Sequence, residues 1–416
     1  MGPVRVGVLL ALALALALPG GAAGSPYVRS GIQDDAWIRY GPGTLDQRLD
    51  RLQDLGLDLV RLNVHWNEVS PKRGTFDWSA YDPVIRGLNA RGIELLLMLM
   101  STPAWANGGR GAFWAPASGS TFAAFARNTA QRYPFVRRFA IWNEPNQRRW
   151  LQPTTPQVYV KRLLNPAYAA IKGVRKGALV AGGVTAPRAS VGGVSPVAWI
   201  QGMSKAGARL DAYAHNPHPL SPAETPTSGG CAHCETITMA DLPRLLSTVR
   251  RAFGPKRIWL TEYGYQTNPP DRLLGVSWTA QARFMSEAAL RAFLAPRVDV
   301  HVQFLVRDEP DLARWQSGLF TTSGVRKPAY ASFLIPFAVR SRTGLRTTVW
   351  GQVRPGTGPQ RYRIERFANG GWRPVGATAR TTKAGYFTRV VRAGPDARLR
   401  VVHLPSRTAS AVLVVR

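Results

Sequence analysis

A repeated alternation of short apolar runs with amphipathic segments, between residues 30 and 340, constrains the fold more than any other feature. This alternation is typical of βα units arranged around a parallel sheet. The apolar runs predict eight strands, at residues 30–33, 57–64, 93–100, 136–142, 179–185, 210–215, 257–261 and 298–306. Eight repeats without a glycine-rich phosphate loop after the first strand favour an α/β fold closed as a (β/α)8 TIM barrel over an open doubly wound sheet.

Helical signals occupy the segments between these runs. Residues 44–47 read Thr-Leu-Asp-Gln, which predicts a capping box at the start of a helix that Gly56 ends. The clearest helix is predicted at residues 279–294, and the last barrel helix at residues 327–337.

The chain changes character at about residue 343. Five short strands are predicted, at residues 347–353, 361–367, 387–391, 399–404 and 411–415, with Gly, Pro and Asn between them. This pattern indicates a small β-sandwich. We therefore expect a barrel over residues 25–340 and a C-terminal β-sandwich over residues 343–416. A bracing role is favoured over sugar binding, because Trp350, Trp372 and Tyr386 form no clear stacking row.

The N-terminal residues 1–24 resemble a secretory signal peptide. Arg5 precedes an apolar run at residues 6–18, and Pro19 and small residues follow it. The run is short for a membrane span, so a signal peptide is favoured over a membrane anchor. We expect a secreted protein whose mature chain begins near Ser25.

The net charge of +30 arises from 54 basic and 24 acidic residues spread along the whole chain. Such a field attracts anionic cell surfaces or acidic polysaccharides. The sequence contains no nucleic-acid-binding motif, so we predict no nucleic-acid partner. Codon bias toward arginine is the simpler explanation of the charge.

The chain has two cysteines, Cys231 and Cys234. In an oxidising compartment we expect them to form a disulfide. Zinc bound with His215, His218 and His233 is the alternative, since this spacing resembles a ligand set. The disulfide is favoured, and no resident metal or cofactor is predicted.

Two glutamates stand where strands of the predicted barrel end. Glu144 follows strand four and Glu262 follows strand seven. Carboxyl ends of barrel strands carry active sites, and a carboxylate at the tip of a buried strand needs a cleft or a partner. A structural ion pair with Arg61 explains one such glutamate, but two on one rim favour catalysis.

The sequence here resembles clan A retaining glycoside hydrolases, the group of families 5 and 39. The resemblance rests on residues 142–146 (Trp-Asn-Glu-Pro-Asn), 260–264 (Leu-Thr-Glu-Tyr-Gly) and 66–69 (Trp-Asn-Glu-Val) with 74–78 (Gly-Thr-Phe-Asp-Trp). It covers the whole predicted barrel. It implies a glycosidase that acts on an oligo- or polysaccharide by double displacement.

By this resemblance, Glu144 is the general acid/base and Glu262 the nucleophile. Asn143 binds the sugar 2-hydroxyl, and the remaining expected substrate-binding residues are Arg61, His65, Trp66, Trp105, His215, His218 and Trp315. The chain departs from the clan after strand six. The clan often has His-Pro-Tyr there, whereas this chain has Asn-Pro-His at residues 216–218, so His218 would replace the tyrosine. It also lacks the tryptophan that often ends strand eight, which Phe304 or Trp315 would replace.

Three other functions remain open at this stage. One is a non-catalytic carbohydrate-binding protein on the same barrel. Another is a cell-envelope-binding protein that acts through its charge, for which binding would depend strongly on salt. The third is a metal hydrolase that uses the histidines and cysteines.

Overall fold

The computed structural model describes Ser25 and residues 28–416 except Ala232. The predicted signal peptide lies outside the described residues. No helix in the described part of the chain is long and apolar enough to cross a membrane.

Eight parallel strands close into a barrel in chain order, with β8 paired to β1. The (β/α)8 fold expected from the sequence is therefore confirmed. The strands are Arg29–Gln33 (β1), Leu59–His65 (β2), Glu94–Met100 (β3), Arg138–Ile141 (β4), Leu179–Thr185 (β5), Ala212–His215 (β6), Arg257–Tyr263 (β7) and Val298–Phe304 (β8). In β3 every residue after Glu94 is buried, because helices cover the outside of the barrel and side chains fill its inside.

Helices connect these strands. They are Asp35–Tyr40 (α1), Leu45–Asp54 (α2), Trp66–Val69 (α3), Asp82–Ala90 (α4), Ala104–Asn107 (α5), Gly119–Arg132 (α6), Pro156–Tyr159 (α7), Asn165–Val174 (α8), Pro196–Lys205 (α9), Leu242–Phe253 (α10), Trp278–Leu294 (α11) and Pro328–Leu334 (α12). A π-helical turn at Val160–Leu164 and a 3-10 turn at Met239–Asp241 complete the set. The predicted capping box is present, since Gln47 N donates to Thr44 Oγ1 and Thr44 N donates to Gln47 Oε1.

The C-terminal region forms antiparallel sheets, as expected. Its strands are Phe337–Thr343 (β9), Arg346–Gln352 (β10), Arg361–Ala368 (β11), Gly371–Pro374 (β12), Ala379–Arg380 (β13), Tyr386–Arg392 (β14), Arg398–His403 (β15) and Leu413–Val414 (β16). One sheet has the order β14-β10-β9, and the other β12-β11-β15-β16 with β13 on β11. Val349, Ile364, Leu399 and Val401 belong to the shared core of the two sheets.

The last barrel helix was predicted too long. It ends at Leu334, because Pro336 disfavours a helical conformation at Ile335 and cannot donate a backbone hydrogen bond. β9 begins at Phe337, the residue at which the sequence predicted the helix to end.

An aromatic cluster attaches the C-terminal sheets to the barrel. The Phe293 ring of α11 lies 5.2 Å from the Trp350 ring and 4.7 Å from the Tyr386 ring, measured between centroids. Tyr386 Oη also donates to the carbonyl of Val28, just before β1. These contacts brace the barrel beside the pairing of β1 with β8.

Candidate active site

The barrel brings the two predicted catalytic glutamates to one mouth. Glu262 is the second-last residue of β7, and Glu144 lies three residues after the end of β4. Both side chains are buried. Trp142 and Glu144 have φ values of 66° and 41°, a left-handed conformation that costs about 1–3 kcal/mol at a non-glycine residue. Such strain is typical of functional sites, and here it shapes the turn that carries Glu144.

Glu262 has two side-chain partners, one from β2 across the barrel and one from the loop after the neighbouring strand β6. Arg61 Nη1 lies 2.6 Å from Glu262 Oε1, and His218 Nε2 lies 3.3 Å from Glu262 Oε2. Arg61 is fully enclosed, and it also donates to Asn143 Oδ1 at 2.7 Å and to the carbonyl of Thr261. One guanidinium therefore fixes the nucleophile candidate and the amide next to the acid candidate.

Glu144 has weaker partners. Asn216 Nδ2 donates to Glu144 Oε1 at 3.2 Å, and the mostly exposed Arg149 approaches Glu144 Oε2 only to 3.7 Å. Asn216 Oδ1 in turn accepts a bond from Thr261 Oγ1 at 2.7 Å. This chain of bonds links the carboxyl ends of β4, β6 and β7.

The surroundings of the two carboxyl groups shift their pKa values in opposite directions. Burial raises the pKa of Glu144, and the negative charge of Glu262 raises it further. Burial also opposes ionisation of Glu262, but the Arg61 and His218 side chains outweigh it and lower the pKa of Glu262 below its usual value. One carboxyl thus favours the protonated form and the other the ionised form, the division that acid and nucleophile roles need.

Aromatic rings flank Glu262 on the β8 side. The Trp315 ring lies 4.6 Å from the His218 imidazole, and the Phe304 ring lies 5.7 Å from it. Both rings are partly exposed, so each leaves ring surface open beside His218. The buried ion pair of Lys327 Nζ and Asp308, at 2.7 Å, holds the loop that carries Trp315.

His65 is the last residue of β2, and Trp105 lies in α5, which follows β3; both rings are partly exposed. His65 Nδ1 lies 2.8 Å from Ser101 Oγ, and Trp105 Nε1 donates to the carbonyl of Ser70. Both side chains are thus oriented by neighbours and leave ring surface open to a ligand.

Three expected substrate-binding residues do not reach the cleft. Trp66 is 1% exposed, because its ring stacks on Phe125 at 5.7 Å inside the aromatic core. His215 is fully enclosed between Thr185 Oγ1 and the carbonyl of Ile237, and burial lowers its pKa to about 4. Arg61 is enclosed as well. The prediction that these three residues contact the sugar directly is therefore corrected. Their enclosed side chains support the site from behind.

Cys231 and Cys234 form the expected disulfide. The zinc alternative loses its ligands, because the cysteines bond each other and His218 pairs with Glu262. In the described residues no group of three or more His, Cys, Asp or Glu side chains is placed to hold a metal.

Sequence reasoning did not assign Asn216 to the site. This residue stands just after the carboxyl end of β6, and that position is the signal by which it could have been found. Asn216 is the residue that contacts Glu144 most closely from β6.

Comparison with known proteins relates the barrel to glycoside hydrolases. A family model described as beta-galactosidase, glycoside hydrolase family 42, matches residues 35–109. No curated protein matches. Among solved structures, a family 39 glycoside hydrolase from Bacteroides cellulosilyticus WH2 has 15% identity and a TM-score of 0.63, over 89% of this chain and 81% of that one.

Two further solved structures are also similar to this chain. A monomeric beta-xylosidase from Caulobacter crescentus CB15 has 17% identity and a TM-score of 0.57, over 89% of this chain and 96% of that one. A GH5_18 protein from Streptomyces cattleya, solved in complex with Manβ1-4GlcNAc, has 19% identity and a TM-score of 0.55, over 73% and 78% of the two chains. The resemblance to clan A glycoside hydrolases is confirmed for the fold.

Proposed function

We propose that this protein is a retaining glycoside hydrolase that cleaves O-glycosidic bonds of an oligo- or polysaccharide. The observation that carries the proposal is the pair of buried glutamates at one mouth, whose surroundings push their pKa values apart. The fold of the structural neighbours supports it, since several of them are named as glycosidases.

The reaction takes two steps. The Glu262 carboxylate attacks the anomeric carbon while protonated Glu144 gives its proton to the leaving oxygen, so the glycosidic bond breaks as a glycosyl ester forms. Glu144, now ionised, removes a proton from water, and the water oxygen displaces Glu262 from the anomeric carbon. Retention requires the two carboxyl groups to lie about 5 Å apart.

The surrounding residues have distinct parts in this scheme. Arg61 and His218 keep Glu262 ionised and oriented. Asn143, whose Oδ1 accepts from Arg61, presents its amide nitrogen to the sugar 2-hydroxyl. Phe304 and Trp315 stack on the apolar face of the sugar ring, as aromatic rings in sugar sites do. We also propose secretion, on the strength of residues 1–24.

The test is turnover of a panel of polysaccharides and 4-nitrophenyl glycosides, including the galactoside, xyloside, glucoside and mannoside. The Glu144→Gln/Glu262→Gln double variant provides the inactive comparison. Glu365 is the matched control, because it is a buried glutamate paired with arginines in the C-terminal sheet, and Glu365→Gln should retain activity.

Product from the wild type and the control, but not from the double variant, supports the proposal. Product of inverted anomeric configuration, followed by NMR, would contradict the retaining mechanism. Absence of turnover on every substrate, with sugar binding kept by wild type and double variant alike, would instead favour a non-catalytic carbohydrate-binding protein.

A further inference from the structure

Three segments after β3, β4 and β5 make one side of the barrel mouth positively charged. They connect β3 to α6, β4 to α7 and β5 to α9, at residues 101–118, 142–155 and 186–195. Their basic residues, all exposed, are Arg110, Arg148, Arg149 and Arg188, and we name these four the arginine wall. Within the described part of the chain Arg149 alone among them forms an ion pair, and its partner is Glu144.

Acidic residues are almost absent from this part of the chain. Between Glu94 and Asp211, Glu144 is the only aspartate or glutamate. Codon bias toward arginine adds cations, but it does not remove carboxylates from one continuous stretch. The segment after β6 differs, since residues 216–241 contain three acidic residues and neither lysine nor arginine. The positive charge is therefore concentrated on the side of the mouth that β3, β4 and β5 supply.

Contacts between the three segments hold the arginine wall in place. Gln152 N donates to the carbonyl of Phe113 at 2.9 Å, and the Phe113 ring lies 4.8 Å from the Trp150 ring. These contacts join the segment after β3 to the segment after β4. Gln147 Oε1 accepts from the backbone N of Ser190 at 3.1 Å, which joins the segment after β4 to the segment after β5. The four arginines thus stand on one connected surface.

Two arginines of the wall lie over tryptophan rings. Arg110 Cζ is 4.5 Å from the centroid of the Trp114 ring, and Arg149 Cζ is 5.4 Å from that of Trp150. Both rings are partly exposed. Aromatic rings pack on sugar rings, and the planar guanidinium group matches the two oxygen atoms of a carboxylate. This combination suits a sugar that carries a carboxylate.

Glu144 indicates which part of a substrate meets the arginine wall. Asn216 Nδ2 holds Glu144 Oε1, whereas Arg149 Nη2 approaches Glu144 Oε2 at 3.7 Å. In the proposed reaction the proton of Glu144 passes to the leaving oxygen, and the other sugar becomes bonded to Glu262. The leaving group therefore lies against Glu144. An exposed side chain this close to the acid carboxyl is within reach of that group.

We propose that the arginine wall binds a carboxylate on the leaving group, so that the substrate is an acidic saccharide with a uronic acid on the leaving side of the cleaved bond. The inference rests on the proposed glycosidase function and adds the charge of its substrate. The guanidinium groups attract the carboxylate, and the tryptophan rings pack on the sugar that bears it. Selectivity for an acidic leaving sugar then depends on a few arginines rather than on the net charge of the whole protein.

Two variants test the arginine wall, Arg149→Gln and the double variant Arg148→Gln/Arg188→Gln. Arg326→Gln is the matched control. Arg326 is exposed, its Cζ lies 4.5 Å from the centroid of the Tyr330 ring, and it belongs to the segment after β8. In the closed barrel β8 stands opposite β4. The control therefore removes the same charge and a similar stacking contact from the far side. Melting temperatures check that all variants fold.

The assay uses two leaving groups that differ in charge and little in size. For the glycone that the wild type prefers, kcat/KM is measured with the 3-carboxyphenyl and the 3-carbamoylphenyl glycoside, and the ratio of the two values is compared between proteins. Each wall variant should lower this ratio about two- to fivefold per charge removed, because exposed charge pairs are weak. Arg326→Gln should leave it unchanged. The effect of Arg149 on the pKa of Glu144 is common to both substrates and cancels in the ratio.

A ratio that the wall variants leave unchanged would overturn the inference, and so would an equal loss in Arg326→Gln, which would show an effect of net charge alone. Calorimetric binding of both compounds to Glu262→Gln, as galactoside, xyloside, glucoside and mannoside, needs no turnover. A preference for the carboxylate that the wall variants reduce supports the inference, whereas equal affinities or no binding refute it. Failure of the proposed function is separate, since it shows as a wild type without turnover on any glycoside.

Discussion

Replacement of Arg61 by methionine isolates the electrostatic control of the nucleophile. The side chain remains long and unbranched, but Glu262 loses the charge 2.6 Å from its Oε1 and keeps only His218. Both partners are buried, and removal of one member of a buried pair costs about 3–5 kcal/mol. The loss falls on the ionised form of Glu262, because that form alone is paired with the guanidinium, so the pKa of Glu262 rises in the variant.

The direction of the pH dependence follows from the sign of that shift. In the wild type the pKa of Glu262 lies below its usual value, so its ionised form stabilises the protein at neutral pH. That stabilisation is lost only as the pH falls through the lowered pKa. In Arg61→Met, burial dominates and raises the pKa, so the variant gains stability as the pH falls through it. The two melting temperatures should therefore converge in acid.

The assay is the pH profile of kcat/KM on one aryl glycoside between about pH 3 and 8. The acid limb reports the ionisation of Glu262 and should move up by more than about one unit in Arg61→Met. Arg61→Lys keeps the charge, so its acid limb should stay near that of the wild type while kcat falls through lost contacts to Asn143 and Thr261. An acid limb unchanged in a folded Arg61→Met enzyme would refute the assigned role of Arg61.

Four further outcomes are expected. Glu262→Ala should lose turnover and recover part of it in azide, with a glycosyl azide of inverted configuration; a retained configuration would exchange the roles of the two glutamates. Glu144→Ala should lose far more activity on poor leaving groups than on good ones, which a leaving-group series measures, and equal losses would remove it as the acid. Lys327→Met should destabilise the fold by about 3–5 kcal/mol in urea titration, because Asp308 is left buried and unpaired, whereas the Lys327→Met/Asp308→Asn double variant should recover part of that loss. Cys231 and Cys234 should resist alkylation without reductant, and Cys231→Ser/Cys234→Ser should cost at most about 2 kcal/mol because the loop is short.

The barrel was predictable because its signals are local. β5 occupies residues 179–185 as predicted, and α11 begins one residue before the predicted residue 279. Strands β9, β12 and β13 were not predicted. β12 and β13 are only four and two residues long, and β9 continues an apolar run that also suits a helix. Their conformation is determined by pairing with distant strands, which no local pattern records.

The sequence predicted which residues follow the strand ends, but it did not predict which of them are buried behind the site. The rule that active residues follow barrel strands indicated Glu144, Glu262 and His218, all of which lie at one mouth. It could not separate Trp66 from Trp105, because the choice depends on which ring Phe125 covers.

Pairing of β1 with β8 has a consequence for how this chain is made. The carboxylate of Asp34 accepts from the backbone N of Val306, 272 residues later. The carbonyl of Val28 accepts from Tyr386 Oη, 358 residues later. At roughly 5–20 residues per second, a ribosome needs about 14–54 seconds to produce β8 after β1. During that interval the free edge of β1 is open to pairing with other chains. The yield of folded protein is therefore expected to depend on the speed of translation.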